Sequence, residues 1–207
     1  VSKPKIILIG GGGHCRSCID VIEQESRFDI AGIVDRPEIA GTSDLFGYPV
    51  LGNDEDLPSL RKMFDNALVT VGQIQSSKIR IRLFHLLKKL DFCMPVVISP
   101  LAYVSPRAVV NQGTIIMHHA LINAGASIGS NCIINTKALV EHDARIHSHC
   151  HISTGAIVNG GSTIGKGSFI GSNSASVQGR KIDNNFFCQA MSLVTGQLNK
   201  RVSEDGE

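Results

Sequence analysis

Apolar positions in residues 1–94 alternate between two textures. KIILIG (5–10) is an unbroken apolar run, the pattern of a parallel strand buried on both faces. A helical stretch, CRSCIDVIEQES, follows it. FDIAGIVD (28–35) reads as a second strand ending in Asp35, YPVLG (48–52) as a short strand and NALVTVG (66–72) as a third long one. DEDLPSLRKMF (54–64) predicts a helix with Asp54 as N-cap and an acidic first turn. SSKIRIRLFHLLKKL (76–90) predicts an amphipathic helix with a basic C-terminal end. Strand–helix alternation of this kind implies a small parallel sheet of Rossmann type.

The texture changes after residue 94. Isoleucine or valine recurs every sixth position from Ile98 to Ile170, thirteen times without a gap. The chance of such a run is on the order of 10⁻⁹ before a phase is chosen. Two positions before each hit except the first, which has Val96, sits a small residue, as in Ala102, Ala108, Thr114, Cys132 and Ser168. A period of six fits neither a helix nor a long strand. It fits a prism of three short strands per coil, each pointing one β-branched residue inward, with the small residue at the corner. Residues 18 apart then stack: Ile98, Ile116, Ile134, Ile152 and Ile170 form one column. This is the hexapeptide signature of a left-handed parallel β-helix, an exception to the right-handed crossover rule. The fold expected is a Rossmann-like α/β domain over residues 1–94, then a left-handed β-helix over 95–207. The column of Val110, Ile128, Ile146 and Ile164 continues in phase at Ile182, and residues 177–207 are expected to cap the open end and finish in the polar tail RVSEDGE.

Composition narrows the class. Twenty-four Ile, sixteen Val and 21 Gly against ten aromatic residues suit short strands and tight turns. A net charge of +2 without a basic block argues against nucleic acid as partner. No apolar run is long enough to span a membrane, and six cysteines in 207 residues are not a disulfide scaffold. The expectation is a soluble, cytoplasmic protein. A prism has flat faces and no cleft of its own. Its ligand sites are therefore expected between copies, most simply in a homotrimer.

Six of eight histidines lie between residues 118 and 151. His142 sits between Glu141 and Asp143, and a carboxylate beside an imidazole orients it and raises its basicity. His147 and His149 read as exposed turn residues. The glycines at 10–13, after a strand and before a helix, suit a phosphate. Cys15 stands where a dinucleotide fingerprint has its third glycine, which disfavours NAD and favours a nucleotide sugar. Three other readings compete. A zinc enzyme of the γ-carbonic-anhydrase kind would use His142 and His147, but its third histidine would fall near Pro106, so no metal is expected. Cys15 and Cys18 form a C-x-x-C, which reads here as small buried thiols rather than a redox pair, as do Cys132 and Cys150. A scaffold without catalysis would not need His142.

The segment I-x-N-T-x-x-x-V-E-H-D-x-x-I-x-x-x-x-H-I-S-x-G-A, from Ile133 to Ala156, resembles the sialic acid O-acetyltransferase family of hexapeptide-repeat enzymes. That family includes the UDP-4-amino-sugar N-acetyltransferases of the bacillosamine pathway. The resemblance extends over about residues 5–195, through I-L-I-G-G-G-G-H, Asp35 and the V-G at 71–72. It implies His142 as general base and Asp143 as the acid that raises its basicity. It implies His151, Gly160, Ser172 and Ala190 at the acetyl-CoA site, with the Gly160 N–H on the thioester oxygen. It implies Gly12, Gly13, His14, Asp35, Arg36, Gly72 and Asn135 on the acceptor. The activity implied is acetyl transfer from acetyl-CoA to the 4-amino group of a nucleotide-linked, UDP-type amino-deoxy sugar. O-acetylation of sialic acid is the alternative. The chain departs from the family at Gln189 and Ala190, where two glycines are common, at Arg36, where some relatives are acidic, and at its C-terminus, which lacks a G-x-P-A turn.

Overall fold

The computed structural model describes residues 2–36 and 44–198. The expected polar tail lies outside the described residues. β1 (Lys5–Ile9), β2 (Asp29–Val34), β4 (Tyr48–Gly52) and β5 (Asn66–Val69) pair in parallel in the order β4-β2-β1-β5, and β3 (Asp44–Leu45) adds an antiparallel edge to β4. β1 is central and its four apolar residues from Ile6 onward are buried, which is why its sequence does not alternate. α1 (Gly13–Glu25) buries Cys15, Cys18, Ile19 and Ile22 between the sheet and the repeats. The other sheet face packs on α2 (Leu57–Leu60) and α3 (Lys78–Lys89) through Leu57, Leu83, Phe84 and Leu87. The helix expected over 54–64 is shorter. It is a 3-10 turn at Asp54–Asp56 leading into α2. Its cap is Asn53, not Asp54: the Asn53 side chain accepts from the Glu55 N–H while Asp56 reaches back to the Asn53 N–H.

From Val97 the chain winds as a left-handed β-helix of short strands, with every strand parallel to the one 18 residues later. Ile116, Ile134, Ile152, Val140 and Ile146 fill its interior, and Ala126, Cys132, Ala138, Ala144 and Cys150 fill its corners. Each such isoleucine contributes about 1.5–3 kcal/mol by leaving water. The column extends through Ile182 as its period predicts, and the coil runs on beyond it. Strands at Arg180–Ile182, Phe187–Cys188 and Leu193–Val194 continue the ladders, so Cys188 and Val194 are interior positions of the same period rather than part of a separate cap. Among the described residues only Gln197–Leu198 breaks the pattern, by pairing antiparallel.

The corners obey a second period. Every sixth residue from Gly113 to Met191 has a left-handed backbone, with φ between 53° and 74°. Ten of these fourteen are Gly, Asn or Asp, the residues that adopt it at least cost.

The three faces differ. The cap face shows Val97, Ile115 and Ile133, covered by α1, then His151, Phe169 and Phe187. A second face shows an unbroken ladder of Tyr103, Leu121, Leu139, Ile157, Ala175 and Leu193. The third shows Val109, Ser127, Arg145, Thr163 and Lys181, and is mostly polar. Among the described residues no helix is long and apolar enough to cross a membrane.

Candidate active site

His142 and Asp143 form the corner between the apolar and polar faces. His142 Nδ1 lies 2.9 Å from Asp143 Oδ2. A carboxylate only accepts, so in the neutral ring Nδ1 carries the proton and Nε2 has the lone pair. The pair stands in space that two glycines leave open. A Cβ on Gly125, one coil earlier, would sit 2.3 Å from Asp143 Oδ1, and one on Gly160, one coil later, 2.7 Å from His142 Nε2. Glu141 does not touch the ring. Its Oε2 accepts from Asn123 Nδ2 and from the His142 N–H.

The Gly160 N–H faces no protein acceptor among the described residues. The reason lies one residue back. At comparable corners Asn123 and Asn135 cap the following N–H with their own Oδ1. Asn159 instead turns its amide to the Ser176 carbonyl, and Gly160 is left with a free donor beside the imidazole. A free lone pair and a free N–H side by side suit proton removal and oxyanion binding.

The other expected residues are elsewhere. Gly12, Asp35, Arg36 and Gly72 line one cavity of about 320 Å³ at the C-terminal ends of β1 and β2, together with Gly10 and Arg82. This is the ligand position of open parallel sheets. Asp35 already accepts from the Gly11 N–H at 2.5 Å, so it shapes the glycine loop. Gly13 is exposed as the first residue of α1. His14 turns inward, with its Nε2 buried and unpartnered among the described residues. Burial, helped by Arg80 and His151, pushes its pKa down to about 3, so it is neutral.

His151 is buried. Its Nδ1 donates to the Gln73 carbonyl at 2.5 Å, which leaves Nε2 to accept from Asn135 Nδ2 at 3.1 Å. Burial lowers its pKa to about 4. Both ring nitrogens are therefore engaged. Ser172 and Ala190 lie on the edge between the cap and apolar faces, stacked below Thr136, and Ser172 Oγ meets Ser153 Oγ at 3.0 Å. Within one chain, then, the acetyl-CoA candidates divide between two edges of the apolar face, Gly160 on one and Ser172 and Ala190 on the other.

His149, expected at an exposed turn, is buried. It sits at a left-handed corner with Nδ1 2.9 Å from Asn131 Nδ2 and its ring against Phe84 at 5.4 Å. His147 is exposed on the edge between polar and cap faces, a different corner from His142. Among the described residues no group of three or more His, Cys, Asp or Glu could hold a metal ion.

Two residues of the seam were not anticipated. Arg80 is fully buried on α3 and donates to the carbonyls of Val69 and Val71 and to Asn131 Oδ1 at 2.8 Å. Gln73 donates to the His149 carbonyl at 3.1 Å. Together they tie the loop that walls the cavity to the repeats. Arg80 could have been noticed. It shares the helical stripe of Leu83, Phe84 and Leu87, where a charge needs a buried partner.

These features define an acyltransferase of the hexapeptide-repeat class with a nucleotide-type cap domain. Residues 5–87 match the profile of the PglD N-terminal domain. A histidine-to-asparagine mutant of perosamine N-acetyltransferase from Caulobacter crescentus, in complex with CoA and GDP-perosamine, superposes with a TM-score of 0.87 at 30% identity over 94% of this chain and 90% of that one. The acetyltransferase domain of PglB from Neisseria gonorrhoeae, in complex with acetyl coenzyme A, superposes with a TM-score of 0.87 at 29% identity, covering 96% and 94%. No curated protein sequence matches the chain. The chain belongs to the hexapeptide-repeat sugar acetyltransferases that include the bacillosamine-pathway enzymes, and it is an acetyl-CoA-dependent sugar acetyltransferase.

Proposed function

We propose that this enzyme acetylates the 4-amino group of a nucleotide-linked, UDP-type amino-deoxy sugar, with His142 as general base. The observation that carries the reading is the Asp143-oriented Nε2 of His142 beside the free Gly160 N–H. Acetyl-CoA supplies the activated thioester. His142 Nε2 takes the proton from the attacking amine, at a benefit of about 10²–10⁴-fold. Asp143 stabilises the imidazolium that results, and the Gly160 N–H donates to the oxygen that becomes negative; as the tetrahedral intermediate collapses the C–S bond breaks and the imidazolium gives its proton to the departing CoA thiolate.

The acceptor reading rests on the glycine loop. Its cavity meets the N-terminus of α1, a position that favours a diphosphate, which free sialic acid lacks. Residues 1–94 would hold this nucleotide sugar and residues 95–207 the acetyl donor. A cytoplasmic location follows, since both substrates are made there. Assembly completes the reading. The cap cavity and Asn135 lie on the cap side of the apolar ladder, and His142 and Gly160 lie across it. Burying the ladder from Tyr103 to Leu193 in a homotrimer would bring the cap-side edge of one copy to the His142 edge of the next.

The test is thiol release from acetyl-CoA, offered a UDP-4-amino-4,6-dideoxy sugar, GDP-perosamine or sialic acid. Release with the UDP sugar is the expected result. Release with GDP-perosamine alone would keep N-acetylation and change the base. Release with sialic acid alone would replace the reading with O-acetylation.

A further inference from the structure

We propose that a cavity at the N-terminus of α3 is a further anion site, which takes a phosphate monoester carried on an aromatic ring. Its volume is about 350 Å³, in the range of small-molecule sites, and Ile74, Ser77, Lys78, Phe169, Asn185 and Phe187 help to line it. It lies on the edge between the polar and cap faces, where Gly167 and Asn185 turn the corner. None of the residues assigned above to the acceptor or to acetyl-CoA lines it.

The sequence puts positive charge where a helix least tolerates it. α3 opens with K-I-R-I-R and has no acidic residue in its first turn. The macrodipole already makes a helix N-terminus positive, so a cation there is unfavourable unless an anion joins it. Two of the three cations are engaged. Arg82 pairs with Asp54 at 2.8 Å. Buried Arg80 donates to the Val69 and Val71 carbonyls and to Asn131 Oδ1, with no carboxylate against it among the described residues. The Lys78 ammonium makes neither a hydrogen bond nor an ion pair among the described residues, and Lys78 is exposed at the cavity.

Ser77 adds a buried donor. It is 6% exposed, and its small exposed part opens on this cavity. A serine at a helix start ordinarily caps an N–H. Here Ser76 Oγ accepts from the Lys78 N–H at 3.3 Å, and the Ser77 hydroxyl makes no hydrogen bond among the described residues. No protein acceptor among them faces the Ser77 or Ile79 N–H either. Hydroxyl, N–H groups and ammonium all donate, and no carboxylate lines the cavity, so the missing partner is an oxyanion. The other wall is aromatic. Phe169 and Phe187 stack with centroids 5.4 Å apart and 14° between their planes, and the His151 ring meets Phe169 edge-on at 5.1 Å. Phe187 stays 45% exposed, and among the described residues only Phe169 stacks on its ring. A further flat ring would extend the stack, and exposed Ile74 would cover part of it. Both walls line one cavity, so oxyanion and ring fit one ligand.

Calorimetric titration of the full chain tests the site, with inorganic phosphate and phenyl phosphate as probes and with CoA and UDP both saturating. Phenyl phosphate should bind about fivefold tighter than inorganic phosphate. Lys78→Glu should weaken both probes about tenfold. A glutamate in the first turn favours the helix, so the melting temperature of this variant should not fall. Ser77→Ala should weaken both probes about threefold. Phe187→Ala should cancel the preference for phenyl phosphate and leave inorganic phosphate within about twofold. Failure of both probes to bind the wild type, or binding that Lys78→Glu and Ser77→Ala leave unchanged, would overturn the site. Phosphate binding without preference for the phenyl ester, or a preference that Phe187→Ala keeps, would overturn the aromatic half of the ligand.

Discussion

His142 acts through what its neighbours lack. The pair with Asp143 was readable as two adjacent letters, but the free space around it depends on Gly125 and Gly160, one coil to either side. Gly160→Ala would place a methyl group 2.7 Å from Nε2, and the ring must move. The expected result is a loss in kcat of about 10²-fold or more with unchanged thermal stability, read from steady-state kinetics beside a melting curve. His142→Ala should lose about 10²–10⁴-fold and still bind acetyl-CoA. Full activity in both variants would remove this corner from the mechanism. His151 shows the opposite case. Its position in the H-I-S-x-G-A motif suggested a ligand contact, and the fold engages both of its nitrogens with Gln73 and Asn135.

At the scale of elements, the seam between α1, α3 and the repeats is built on neutral imidazoles. Burial lowers the pKa of His151 and His149 to about 4 and that of His14 to about 3. In the unfolded chain the same groups bind protons near pH 6.5. Between pH 6.5 and about 4 the unfolded state therefore holds more protons, and stability rises with pH across that window. It is full above pH 6.5 and lost progressively as the pH falls toward 4. The midpoint of thermal unfolding should drop by several degrees from pH 7 to pH 5, and His149→Asn should flatten the slope. A flat profile for the wild type would contradict neutral burial. The repeats themselves were almost fully legible, because one period sets both the interior isoleucines and the small corner residues. The Ile/Val period does not show the strands beyond Ile182, because Ser176 and Cys188 interrupt it on either side. The left-handed corners follow the same period and could have extended the count, with Asn173, Gly179 and Asn185 in phase.

For the whole molecule, the decisive feature is that the candidate groups lie on two edges separated by the apolar ladder. A site shared between copies makes a specific prediction. Copies carrying His142→Ala and copies carrying Arg36→Glu with Asn135→Ala should each be inactive, and co-expressed they should regain up to about a quarter of wild-type turnover per chain. Continued inactivity of the mixture, with mixed assemblies verified by mass, would mean that one chain builds its own site. What the amino-acid order determined alone was everything carried by a short period or a local spacing: the β-helix, its columns, the strand–glycine–helix turn and the His142–Asp143 pair. Those features arise between residues a few positions or one coil apart, where backbone geometry dictates the neighbour. What only the tertiary structure decided was which side chains the seam would bury. Arg80, Gln73, His149 and His151 meet across 51 to 95 residues of sequence, and His118 meets Asp20 across 98. No local pattern encodes such encounters, because they are set by how α1 and α3 settle on the cap face once the apolar surfaces have closed.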